Sequence, residues 1–96
     1  MPAIRKLPRP FSFHWGEGFV TEEAATEGEY TAPAIQLLEY TEGPAAGSFS
    51  IRFCYYSLDG RFQRSPLMLD EAEIEGLRES LKANPKLHAY LKRLVE

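Results

Sequence analysis

A single cysteine, Cys54, stands among 96 residues, so an internal disulfide is impossible. The opening Met-Pro-Ala-Ile-Arg-Lys holds no apolar run of the kind a secretion signal needs. Both features lead to the expectation of a reducing, cytoplasmic setting. No stretch approaches the ~20 apolar residues of a membrane span. Neither sign of charge dominates: 11 Lys and Arg face 14 Asp and Glu, a net of −3, which excludes a histone-like polycation. Only two histidines occur, His14 and His88, and neither shares a metal-ligand spacing with Cys54 or an acidic pair. Gly16-Glu17-Gly18 lacks the third glycine and the following helix of a dinucleotide turn. The glutamates from Glu22 to Glu29 lack the Asp/Asn spacing of a calcium loop. With no nucleophile, acid-base pair or ligand set, the expectation is a protein without catalytic residues, metal or cofactor.

What is present suits one small domain, with 44% hydrophobic residues and 12% aromatic residues. Residues 1–10 carry three prolines and the cations Arg5, Lys6 and Arg9, and are expected to form a flexible basic arm ahead of a single α+β domain at 11–96. Phe11, Ser12, Phe13, His14 and Trp15 alternate as a strand with its three large aromatics on one face. Glu22 to Glu29 has no usable period and is expected to be a solvated loop. Ala34 to Tyr40 fits a strand whose adjacent Leu37 and Leu38 imply burial on both faces or a bulge. Ser48 to Tyr56 alternates most cleanly, with Phe49, Ile51, Phe53 and Tyr55 opposed to Ser50, Arg52, Cys54 and Tyr56. Asp59-Gly60 closes a hairpin, and the return strand Arg61 to Leu69 carries Pro66, which places it at an edge or bulge.

Asp70 followed by Glu73 forms a capping box and predicts a helix with Ile74, Leu77 and Leu81 turned inward. Asn84-Pro85 ends that helix and starts a second, whose stripe is Leu87, Tyr90, Leu91 and Leu94. Strands first and helices last make an α+β domain. Between Phe49 and Leu69 three arginines accompany one acid, Asp59, so Arg52, Tyr56, Arg61 and Arg64 form a locally positive hairpin. Arginines among aromatic rings suit single-stranded nucleic acid, because guanidinium groups neutralise phosphate while rings stack on unpaired bases.

Ile51-Arg52, Tyr55-Tyr56, Asp59-Gly60, Leu67-Met68-Leu69 and the helix residues Ile74, Leu77 and Leu81 resemble the positive cofactor four family of transcriptional coactivators, over about a third of the chain. That resemblance implies a four-stranded antiparallel curved sheet followed by C-terminal helix structure, a homodimer, and binding of single-stranded nucleic acid. It makes Arg52 and Tyr55 contacts, whereas a period of two sets them on opposite faces and pairs Arg52 with Tyr56. The expected nucleic-acid-binding residues are therefore Arg52, Tyr55, Tyr56, Arg61 and Arg64, assisted by Arg5, Lys6 and Arg9. The stripe Leu87, Tyr90, Leu91 and Leu94 is the expected dimer interface, since it needs its own cover. This chain lacks the family's glycine-lysine run between Gly60 and Leu67, which implies weak binding. A protein-protein interaction module on the same fold is the alternative.

Overall fold

The computed structural model describes residues 5–96, and the first four residues of the expected arm lie outside them. The elements are β1 (Arg9–Phe13), β2 (Gly16–Ala25), β3 (Thr31–Glu42), β4 (Phe49–Ser57), β5 (Phe62–Gln63), α1 (Glu71–Leu81) and α2 (Pro85–Val95). The α+β organisation is as expected, but the sheet has five strands rather than four, antiparallel and in chain order.

The additional strand is β2, which occupies part of the expected solvated loop. Its glutamates hide it from a periodicity argument, yet Glu22 and Glu23 both have partners inside the fold. Gly18 is required here, because a Cβ at that position would collide with the Glu39 carbonyl of β3. Thr21 is an extra residue between the pairs Val20–Leu38 and Glu22–Leu37. This bulge switches the facing of β2, so that Val20 and Glu22 lie on opposite sides of the sheet. Leu37 and Leu38 are both fully buried, as expected of a strand covered on both faces.

β1 begins at Arg9, so Arg9 and Pro10 belong to the sheet rather than to an arm. Phe13 pairs with Gly16, and His14 and Trp15 form the two-residue turn instead of continuing the strand. The return strand after Gly60 is reduced to β5, pairing only with Tyr55 and Tyr56. Gly60 at φ +91° supplies the left-handed turn residue.

Both helices cover one face. Ala24, Ile35, Leu37, Leu77 and Leu87 form its core, with Ile51, Leu81, Tyr90 and Leu91 packed against them. Asp70 accepts from the Glu73 amide at 2.9 Å and Glu73 accepts from the Asp70 amide at 3.0 Å, the expected capping box. Ile74, expected inward, is half exposed; Gly76 and Leu77 make the approach instead, and a Cβ at Gly76 would collide with Thr26. At the start of α2 the expected cap differs in chemistry. Asn84 makes no side-chain cap; its amide group instead bonds the main chain of Glu23 and Ser80. The Glu22 carboxylate, from β2, accepts from the Leu87 amide at 2.8 Å and holds the helix N-terminus to the sheet.

The stripe expected at a dimer interface is thus largely covered within one chain. Leu87 is fully buried and Tyr90 and Leu91 pack on the core, leaving Leu94 exposed. Truncating Leu87 to Ala removes core contacts worth about 2–5 kcal/mol. Of the four, Leu94 alone remains largely exposed to a partner.

Candidate functional site

The face without helices is the inside of a curl. Ala25, Ala32, Ala34 and Cys54 lie there around Tyr56, and their small volumes leave room for the sheet to bend. The curl is tight enough for Arg9 of β1 to reach the Tyr56 hydroxyl of β4 at 3.4 Å, across two intervening strands.

Cross-strand register places Glu23, Gln36 and Arg52 side by side on β2, β3 and β4. Arg52 Nε donates to Gln36 Oε1 at 2.7 Å, and Gln36 Nε2 donates to Glu23 Oε2 at 2.5 Å and to the Tyr56 hydroxyl at 2.9 Å. Gln36 is fully buried, so these bonds satisfy a group that is costly to bury alone. Arg5 grips Glu23 through Nε and Nη2 at 3.0–3.1 Å, and Arg9 Nη2 lies 3.5 Å from the same carboxylate. The Arg5 guanidinium also covers the Tyr56 ring, 3.7 Å from its centroid. Arg9 Nη1 is buried without a protein partner among the described residues.

Beside this network the two edges of the sheet converge on a trough of about 450 Å³. Phe13 contributes from β1, Arg52 and Cys54 from β4, and Phe62 and Arg64 from β5 and the residues after it. The Arg52 guanidinium stands 5.2 Å from the Phe62 ring centroid. Phe13 continues into an aromatic row, stacked on Trp15 at 4.7 Å and tilted against Phe11 at 5.4 Å. Trp15 is anchored through its Nε1 to the Tyr40 hydroxyl at 3.0 Å.

Arg52, Tyr56, Arg5 and Arg9 are thus assembled on one face, and Arg64 joins Arg52 at the trough. Tyr56 is buried between Arg5 and Phe62, so its ring is not a free stacking platform. Tyr55 is half-buried on the other side, beside Thr31, Pro66 and Met68. Arg61 lies at the turn, exposed and 3.6 Å from Asp59, and Lys6 is exposed. Arg5 and Arg9 are held by Glu23 rather than free on an arm. The rings that line the trough, Phe13, Phe53 and Phe62, were not among the expected contacts. The alternation of Phe11, Phe13 and Trp15 carries a signal for the first of them. Gln36, a lone amide in an apolar strand, marks the network.

Burial pushes the Cys54 thiol up from its ordinary range, against the opposing pull of nearby Arg52. No group of three or more His, Cys, Asp or Glu able to hold a metal ion occurs among the described residues, and no helix there is long and apolar enough to cross a membrane.

On the helix side a second, apolar groove of about 530 Å³ runs between β4 and α2, bordered by Phe49, Ile51, Phe53, Tyr90, Arg93 and Leu94. No protein-family model, curated protein or solved structure matches this chain.

Proposed function

We propose that this chain is a non-enzymatic protein that binds single-stranded nucleic acid in the trough inside the curled sheet, in the manner the resemblance to the positive cofactor four family implies. The observation that carries this is the trough's composition: guanidinium groups of Arg52 and Arg64 beside the rings of Phe13 and Phe62 in one concavity, the pairing that unpaired bases and their phosphates call for. Arg52 and Arg64 take phosphates, while Phe62, Phe13 and Trp15 offer ring faces to unpaired bases. Tyr56 acts indirectly, holding Gln36 and carrying Arg5. Glu23 opposes binding by neutralising Arg5 and Arg9, so the affinity is weak and salt-sensitive.

Fluorescence anisotropy with a short labelled single strand and the matching duplex, across a salt series, tests this. The single strand binds better at low salt. Arg64→Ala flattens the slope of log affinity against log salt by about one unit. Phe62→Ala costs about 1–3 kcal/mol with little change in slope. Absence of binding at about 50 mM salt, where phosphate contacts are strong, refutes the proposal. The apolar groove between β4 and α2 then favours the interaction-module alternative.

A further inference from the structure

We propose that β4 is a dimer interface, at which two copies pair their β4 edges antiparallel about a twofold axis. The result is a sheet that runs on through β1–β4 of both copies, with each β5 flanking the seam. Phe53 and Arg52 border the trough as well as this edge, so the pairing is read on the protein alone, by its mass and its amide exchange, without nucleic acid.

β5 covers β4 only at Tyr55 and Tyr56, so Phe49 to Cys54 has no hydrogen-bonded strand on its outer side. The direction of its main-chain groups follows from two bonds. The Tyr40 amide donates to the Ser48 carbonyl at 3.1 Å, turning Ser48 toward β3. The Ser57 amide donates to the Arg61 carbonyl at 2.8 Å, turning Ser57 outward. Main-chain direction alternates along an antiparallel strand, so Phe49, Ile51 and Phe53 direct both their N–H and C=O groups out of the sheet.

An open edge is normally guarded by proline, lysine, an inward charge or a bulge. The opposite edge of this sheet has such guards, since β1 contains Arg9 and Pro10 and follows Pro8. From Phe49 to Cys54 there is no proline or lysine and the register with β3 is unbroken. Its one charge, Arg52, is held over the concave face by Gln36. This contrast also selects the symmetry. Pairing β4 with the β1 edge of another copy would build an open filament and would meet a strand whose Pro10 has no donor, whereas pairing β4 with β4 closes as a dimer.

A twofold axis at Ile51 sets Phe49 of one copy against Phe53 of the other and Ile51 against Ile51. Arg52 then faces Ser50, so no like charges oppose. The side chains next to this ladder supply area. Phe49 is 40%, Phe53 49% and Leu94 67% exposed. Taking ~200 Å² for a whole aromatic side chain, the two rings present roughly 180 Å² of apolar surface per copy, and Leu94 adds to it. Doubled, and joined by the strand main chain, Tyr90 and the Arg93 stem, this is the area of a small interface, suited to a weak dimer that dissociates on dilution.

Analytical ultracentrifugation of the full chain at about 100 µM, where a complex of micromolar Kd is nearly complete, reads the mass. The wild type sediments as a dimer. Phe53→Lys, a charge on an exposed edge side chain, raises the dissociation constant at least tenfold while the far-ultraviolet circular dichroism is kept. Amide exchange followed by NMR gives an independent measure on the wild type alone: the Phe49, Ile51 and Phe53 amides are protected at high concentration and lose protection on dilution. A wild-type monomer at that concentration overturns the proposal. So does a dimer whose three amides exchange freely, or one abolished by Leu94→Asp but unaffected by Phe53→Lys, which assigns the interface to the helices.

Discussion

Replacing Glu23 with Gln removes one negative charge without changing the shape of the side chain, and it acts in opposite directions on stability and on binding. The carboxylate is 6% exposed and is shared by Arg5, Arg9 and Gln36. Breaking a buried ion pair by neutralising one partner costs about 3–5 kcal/mol. Arg5 and Arg9 retain 17% and 27% exposure, so water screens part of their uncompensated charge, and about 2–3 kcal/mol is expected. For a domain of this size each kcal/mol shifts the melting temperature by about 4–8 °C, so Glu23→Gln lowers it by roughly 10–20 °C. The same change releases Arg5 and Arg9 beside the trough. Single-strand affinity at low salt rises, and the salt slope steepens by one to two units, about one for each added phosphate contact. Differential scanning calorimetry and the anisotropy salt series read the two effects, with binding measured well below the lowered melting point. A melting point within about 2 °C of wild type would show that Glu23 does not organise this face. An unchanged slope would place bound phosphates away from Arg5 and Arg9.

Other positions give more local tests. Asp70→Ala removes the side-chain half of the capping box and lowers stability by about 0.5–2 kcal/mol in denaturant titration, with unchanged fold. Glu22→Ala deprives the Leu87 amide of its acceptor and is expected to cost about 1–3 kcal/mol, the penalty of an unsatisfied buried donor. The Cys54 thiol should react with a disulfide reagent only after unfolding. Its native pKa is raised, so its contribution to stability is complete below the ordinary thiol range. That contribution is lost as pH rises through that range toward the native value, and comparing denaturation of wild type and Cys54→Ala between pH 7 and pH 10 reads the difference.

Local signals gave away the elements that rest on local chemistry. The alternation of β4, the Asp59-Gly60 turn, the Asp70–Glu73 box and the Pro85 start of α2 each depend on neighbours within a few residues, and each is found in the structure. β2 was illegible because its stabilising partners are remote: Glu22 serves a helix 65 residues away, and Glu23 serves Arg5 and Gln36. A glutamate-rich segment with such partners reads as a loop until the third dimension supplies them. The stripe on α2 was visible as a stripe, but periodicity shows only that a face is apolar, not whether its own sheet or a second copy covers it. For the candidate site, parity correctly grouped Arg52 with Tyr56. It could not show that Arg5 and Phe62 enclose the tyrosine, because those contacts arise from the curl of the sheet.

The central claim, a single strand held inside the curled sheet, is tested most directly by NMR titration of the isotope-labelled protein with a short oligothymidylate at low salt. The account predicts that the largest shifts fall on Phe13, Trp15, Arg52, Phe62 and Arg64, the residues in and beside the trough. Shifts concentrated on Phe49, Tyr90, Arg93 and Leu94 on the helix side, or no shifts at all, would contradict it.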